Sequence, residues 1–292
     1  MRRGLFVALI VALLFTVTAV AQAPEEYLDV FMVKVKPEKR SAFDAIIKKM
    51  ADANRRNNGD YWLATEISYG EGSTVYFTSR RQSWGDAEKS FGVFMGALHK
   101  ALGEAGTSKL FQDFSNCVVS SRSELRRRRW ELSLNAPSDP AAMSKMVGDA
   151  RWVRTTIVRV RPGRAGDYEA RLRENKAAME KSNPQSSLLV SQAVTGQQNT
   201  VYYLTSLRSS LASFDTAGTS LREALGEDGY QKYQKTVAES VLGTENIISR
   251  FLPELSNVPP DIAAVAPGFW NPKPPAPKPK PAPEAAKPAN TK

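Results

Sequence analysis

The sequence predicts an α+β fold in which two tandem β-α-β-β-α-β units pack their sheets face to face. Three observations predict it. Short segments recur in one order along the chain, which is the mark of a repeated unit. Within each recurrence the hydrophobic period switches between 2 and 3.6 in the same succession, so strands and helices alternate alike in both copies. Each resulting sheet has helices for one face only, and its other face is covered most simply by the sheet of the second unit.

The recurrence is extensive. Val33-Lys34-Val35-Lys36-Pro37 returns as Val158-Arg159-Val160-Arg161-Pro162, and Thr74-Val75-Tyr76-Phe77 returns as Thr200-Val201-Tyr202-Tyr203. Ala101-Leu102-Gly103-Glu104 returns as Ala224-Leu225-Gly226-Glu227, Glu131-Leu132-Ser133 as Glu254-Leu255-Ser256, and Asn135-Ala136-Pro137 as Asn257-Val258-Pro259. The offset is 125 at the first match and 122 at the last, so insertions are few.

Each unit opens on a strand, residues 29–36 and 153–161, where apolar residues alternate with cationic or polar ones until Pro37 and Pro162 end the pairing. A helix follows, with Phe43, Ile46, Ile47 and Met50 at helical spacing, answered by Tyr168, Leu172 and Met179. Asn57-Asn58-Gly59 and Asn183-Pro184 stop it. Residues 61–69 and 74–80 form a hairpin around Gly70-Glu71-Gly72. The second helix runs over 84–102, breaks at 103–106 and resumes from 108 to about 120, and a last strand over 124–132 closes the unit. The predicted organisation is a leader over 1–21, a first unit over 22–135, a linker over 136–151, a second unit over 152–266 and a tail over 267–292.

The leader has the form of a secretory signal peptide: Arg2-Arg3, an apolar run from Leu5 to Phe15, and Ala19-Val20-Ala21 before the expected cut. The run is too short to span a membrane, and the arginine pair admits twin-arginine export as well as the general route. The chain is therefore expected in the periplasm or outside the cell. Cys117 is the only cysteine, so no intramolecular disulfide forms, and its apolar setting marks it as a small buried hydrophobe. The net charge is +10, but the leader carries two positives and the tail from Asn271 carries four in excess. The +4 left on the folded part gives no reason to expect nucleic acid. The tail, with Pro272-Lys273-Pro274-Pro275-Ala276-Pro277-Lys278-Pro279-Lys280-Pro281, reads as an extended solvated spacer, with weak contact to anionic cell-envelope material as the alternative.

The element order is the ferredoxin-like arrangement. Doubled in one chain over residues 27–143 and 152–265, it resembles the dimeric α+β barrel superfamily, in which two such sheets close into a barrel with the helices outside. That resemblance implies either a binding protein or a cofactor-free enzyme of monooxygenase or isomerase type. Haem-degrading monooxygenases of the superfamily carry a haem-ligating histidine on the corresponding helix, where this chain has His99 after Trp84, Phe91 and Phe94. Those enzymes also carry an asparagine on the first strand, which here reads Val30-Phe31-Met32-Val33-Lys34, and the second unit has Arg222 at the place of His99. His99 is therefore expected as a partly exposed helix residue. No metal site, cofactor, Walker loop or dinucleotide fingerprint is expected, and with one histidine and one cysteine a zinc site or histidine triad can hardly be assembled.

Strand parity supplies the candidate site. With Val33, Val35, Val158 and Val160 under the helices, Lys34 and Arg159 are expected to point into the barrel, joined by Tyr76 and Tyr202 from the third strands and Arg127 and Arg250 from the fourth. Arg126-Arg127-Arg128-Arg129 alternates across its strand and so is not one patch. Buried cations need partners. An anionic or amphipathic small molecule would serve, and so would Glu66 or water. Tyr76, Tyr202 and Glu66 are the visible proton-carrying groups. With no acid/base pair at matched positions, a binding protein is the preferred reading.

Overall fold

Strand β1 (Tyr27–Val35) is followed by α1 (Arg40–Arg56), the hairpin of β2 (Leu63–Tyr69) and β3 (Thr74–Arg81), α2 (Trp84–Cys117) and β4 (Val118–Arg128). After α3 (Pro140–Asp149) the same order returns: β5 (Trp152–Val160), α4 (Ala165–Lys181), β6 (Leu189–Thr195), β7 (Thr200–Arg208), α5 (Leu221–Ser240) and β8 (Val241–Phe251), closed by α6 (Pro260–Val265) and α7 (Pro267–Trp270). These elements come from a computed structural model that describes residues 25–182, 184, 186–215 and 218–271. The predicted leader and residues 272–292 of the predicted tail lie outside the described residues.

The eight strands close into one antiparallel barrel in the order β1-β3-β2-β8-β5-β7-β6-β4. Each half lays its strands in the same internal order, β4-β1-β3-β2 and β8-β5-β7-β6, and the halves join where β2 meets β8 and β4 meets β6. Closure leaves no strand edge unpaired. Outside it, α1 packs with α2 and α4 with α5. The alternating valines do what the pattern predicts. Val33 and Val35 are buried with Phe43, Ile47 and Leu98 beneath the first helix pair, and Val158 and Val160 with Tyr168 and Leu172 beneath the second.

Ser83 caps α2 by accepting from the Asp86 amide at 3.1 Å, and Ser220 with Glu223 forms a reciprocal capping box on α5. Both helices bend at a glycine in the left-handed region, Gly103 (φ 70°) and Gly226 (φ 67°), where any other residue is strained. The predicted break at 103 is thus a kink, and the helix continues to Cys117.

Three boundaries depart from expectation. Strand β4 spans Val118–Arg128 instead of 124–132, because residues 120–123 lie at an exposed end of the barrel and carry no apolar alternation to reveal them. Trp130–Leu132 form a single 3-10 turn. The predicted linker contains α3, capped by Asp139 and started by Pro140. It docks on α6 so closely that a Cβ on Gly148 would lie 2.5 Å from Val265. The predicted tail boundary at 267 also moves: Pro267–Trp270 are helical, and Trp270 is buried against Phe251 and Phe269, its indole donating to the Gly148 carbonyl at 2.9 Å. Phe269-Trp270 is an apolar pair at the edge of a proline-rich stretch, and it folds back to cover one barrel end. Among the described residues no helix is long and apolar enough to cross a membrane.

Candidate functional site in the barrel

Cross-strand register decides which side chains enter the barrel. Tyr76 pairs with Met32, and Arg126 pairs with Leu28 on the other side of the same strand. Even-numbered residues of β1, β3 and β4 therefore face inward, and the odd ones face the helices. Tyr76 is inside as expected, and burial pushes its phenol pKa up.

Arg127 and Arg250 do occupy equivalent positions, opposite Tyr27 and Trp152, but both face outward. Their neighbours Arg126, Arg128, Ser249 and Phe251 line the interior instead. Four consecutive arginines offer no hydropathy to fix which pair turns in, so β1 and its inward Leu28 set the face. Glu66 is also outside, held between Arg40 of α1 and Arg250, which is 3.2 Å away. Burial alone would raise the pKa of this carboxyl, but hydrogen bonds and charge from Arg40 and Arg250 hold it below the usual value. Lys34 and Arg159 lie on the inward face at the rim opposite the cavity described below. Lys34 donates to Glu71 Oε1 at 2.9 Å and to the Gly72 carbonyl at 2.6 Å, and Arg159 pairs with Glu245 at 3.5 Å.

Tyr202 faces the helices, where its hydroxyl donates to Glu169 Oε1 at 2.7 Å and its ring packs on Tyr168. Register explains the correction. Val33 pairs with Val75, but its counterpart Val158 pairs with Tyr202. The turn entering β7 has absorbed one extra residue relative to β3. A one-residue slip moves every side chain to the opposite face. Tyr203, not Tyr202, is the inward partner of Tyr76. His99 is exposed on α2.

At mid-barrel the inward residues form a closed polar network around Glu124, whose side chain is fully buried. Arg126 Nε donates to Oε2 at 2.8 Å, Tyr203 Oη donates to the same oxygen at 2.6 Å, and Arg122 approaches Oε1 at 2.9 Å. Gln197 Nε2 donates to Glu124 Oε1 and, at 2.9 Å, to Tyr203 Oη. The Arg126 guanidinium lies 3.5 Å over the Tyr203 ring. Burial pushes the Tyr203 phenol pKa up, and the neighbouring carboxylate adds to the effect. Both oxygens of Glu124 are committed, so the network is a plug rather than a free base. The sequence reading missed it. The available signal was Glu124 two residues before Arg126 and four before Arg128, on one face of a strand.

Between this plug and the end covered by α3 and α6 lies a cavity of about 210 Å³. Its first wall, from β3 and β4, presents Arg80, Arg126, Arg128 and Tyr76. The opposite wall is mainly apolar, with Val153, Leu207 and Phe251 from the second half and Met143 and Ile262 from the covering helices. Glu26 lies at the cationic side, where Arg80 donates to Oε2 at 2.8 and 3.2 Å. Arg128 is only 7% exposed, and its nearest carboxylate atom, Glu26 Oε1, stands 3.5 Å from Nε. Neither of those two atoms makes a hydrogen bond among the described residues. Burial holds the Arg128 pKa below the ordinary guanidinium value, against the pull of Glu26. Tyr76 lines the same space, and its hydroxyl has no hydrogen-bond partner among the described residues.

A second cavity of about 380 Å³ lies outside the barrel, between the first half's sheet and helices. Phe31, Phe77, Phe94, Phe111 and Phe114 line it, and Phe91 is exposed at its edge. At one end Arg81 grips Asp60 with two bonds of 2.6 and 2.8 Å and reaches Asp29 at 3.4 Å. Burial raises the Asp29 pKa despite that guanidinium. No group of metal-ligating side chains occurs among the described residues.

No protein-family model matches the sequence, and a comparison with curated proteins gives no match. Among solved structures, the chain is similar to an anthrone oxidase-like protein at 14% identity and a TM-score of 0.49, covering 78% of this chain and 92% of the other. It is similar to a candidate chlorite dismutase at 12% identity and 0.48, covering 84% and 99%. A candidate monooxygenase from Lactobacillus acidophilus follows at 10% identity and 0.45, covering 77% and 93%. This chain is itself an α+β protein with a closed eight-stranded barrel.

Proposed function

We propose that this chain is an exported small-molecule-binding protein, built from two copies of one ferredoxin-like unit, whose ligand occupies the barrel-end cavity where the copies meet. The observation that carries this reading is Arg128: a buried guanidinium facing a cavity, with no hydrogen-bond acceptor among the described residues at its Nε. Its one carboxylate neighbour, Glu26, pairs with it in charge at 3.5 Å but takes no hydrogen bond from Nε, so a buried donor is left facing the empty volume. Recurrence of matched segments and the repeated strand order support the duplication. The basic leader and its apolar run support export, and the lysines of the tail suit weak contact with anionic envelope material.

Native mass spectrometry of protein isolated from a periplasmic fraction tests the reading. The expected result is a chain beginning near Gln22 with a bound species that is absent from an Arg128→Met variant. Retention of Met1 in a cytoplasmic pool would overturn the export, and identical ligand loads in both proteins would overturn the cavity.

The aromatic cavity of the first half favours a second reading, a cofactor-free enzyme of monooxygenase or isomerase type. There Asp29, a carboxyl with a raised pKa, lines an apolar chamber of a size to hold a substrate. Oxygen uptake with electron-rich phenols, lost in Asp29→Asn, would support it. No turnover in the wild-type protein would leave the binding role alone.

A further inference from the structure

We infer that the barrel-end cavity takes a small monocarboxylate with a compact apolar body. This rests on the reading that the cavity is the binding site, and it deepens that reading by naming the ligand class.

Size comes first. At about 210 Å³ the cavity lies below the roughly 300–1,000 Å³ of pockets for drug-sized ligands, which suits a carboxylate on a single ring or a short chain.

Charge comes next. Arg126 and Glu124 are spent on each other inside the network, which leaves two guanidinium groups, Arg80 and Arg128, on the first wall against one carboxylate, Glu26. The polar atoms here without a hydrogen bond among the described residues are the Arg128 Nε donor, the Tyr76 hydroxyl, which can donate, and Glu26 Oε1, which already faces Arg128. An ammonium ligand would have only Glu26 to face, already engaged by Arg80 and approached by Arg128. A planar carboxylate matches a guanidinium fork in geometry as well as sign.

The opposite wall supplies the rest of the specificity. Val153, Leu207 and Phe251 stand across the barrel from the arginines and offer no charge. A free phosphate or another fully hydrated anion would lose water against that wall with nothing to replace it. A carboxylate with an apolar body meets both walls at once.

Calorimetric titration of the purified protein with phenylacetate, octanoate, neutral 2-phenylethanol, 2-phenylethylamine and inorganic phosphate tests the assignment. The carboxylates should bind about tenfold or more tightly than the alcohol, which is the scale of one charge-assisted contact. The amine and phosphate should not bind. Arg128→Met should bring the carboxylates down to the level of the alcohol without changing the alcohol. Glu26→Gln, which frees Arg80 and Arg128, should move carboxylate affinity the other way, and this keeps the test decisive if the first variant folds poorly. If the alcohol, amine or phosphate matches or exceeds the carboxylates, the ligand class is overturned. The cavity reading then survives only if Val153→Trp, which fills the space, abolishes that binding. If none of the probes binds the wild-type protein, both fall.

Discussion

Across the barrel, β4 and β8 stand at equivalent places: Arg126 faces Leu28 of β1 as Ser249 faces Val153 of β5. Their inward residues nevertheless differ in kind. The first half contributes Glu124, Arg126 and Arg128, and the second contributes Ile247, Ser249 and Phe251 at the matching positions. The outer faces diverge as well. Six phenylalanines line the first half's helix–sheet cavity. The second half's cavity, about 290 Å³, instead holds Arg171 and Asn175, with Arg171 Nε and Asn175 Oδ1 buried and unbonded. One backbone arrangement thus tolerates a charged or an apolar lining at the same sites, because strand pairing and the helix-side valines carry the fold. The inward face is free to specialise, and joining two unlike walls yields an amphipathic cavity that two identical walls would not.

The sharpest way to break this comparison is at Glu124. Glu124→Ala strips the acceptor from Arg126, Arg122, Tyr203 and Gln197 in a buried setting, and should cost about 3–5 kcal/mol in urea unfolding. Copying the second half's lining instead, as Glu124→Ile with Arg126→Ser, removes both charges of the closest pair together. Most of the loss should then be recovered, since a buried ion pair exchanged for packed apolar groups is often neutral. If the double variant is no better than the single one, the polar plug is required by the fold and the two walls are not interchangeable.

A smaller effect separates the halves by sign. Glu169 in the second half has its pKa lowered to about 2, chiefly by the hydrogen bond from Arg129, with burial opposing. Its folded pKa lies below the unfolded one, so its stabilisation is present above about pH 4.5 and fades as pH falls toward 2. Asp29 in the first half is raised by burial. Its contribution is present below its unfolded pKa near 3.8 and is lost as pH rises through the higher folded value. Thermal melts from pH 2 to 7 should therefore show Glu169→Gln flattening the acid-side decline. Asp29→Asn should gain stability at neutral pH relative to wild type and lose that gain in acid. Matching profiles for the two variants would contradict the assigned environments.

How much of this was legible in the sequence depended on what set each feature. Local alternation placed Val33, Val35, Val158 and Val160 correctly, because apolar residues alternating with charged ones have only one face to bury. Helix caps and kinks were written locally too, in Ser83, Ser220 and the Gly103 and Gly226 pair. The site was not. Whether Arg126 or Arg127 turns inward depends on pairing with β1, far away in sequence. Whether Tyr202 or Tyr203 does depends on one extra residue in a turn. Matching the copies by sequence aligned Tyr76 with Tyr202, whereas matching them by hydrogen-bonded register aligns it with Tyr203. The covering helix α3 was signalled by Asp139-Pro140, but a short helix without a full amphipathic stripe reads as a linker.

The smallest expected effect sharpens the comparison by equality. Gly103 and Gly226 adopt nearly the same backbone angles, φ 70° with ψ 172° and φ 67° with ψ 173°. A Cβ added at either would meet nothing within 4 Å, so substitution costs backbone strain and no steric clash. Alanine at this positive φ with ψ near 172°, a region left almost wholly to glycine, is disfavoured by about 1–3 kcal/mol. Part of this is offset because alanine narrows the unfolded ensemble. Gly103→Ala and Gly226→Ala should therefore each lower stability by about 1 kcal/mol, and by the same amount within error. The double variant should show the sum, because the two kinks lie in different helix pairs and share no partner. Unequal losses would mean that the kinks, alike in angle, bear different loads: the first would be supporting the aromatic cavity beneath α2, and the halves would differ in backbone mechanics as well as in lining.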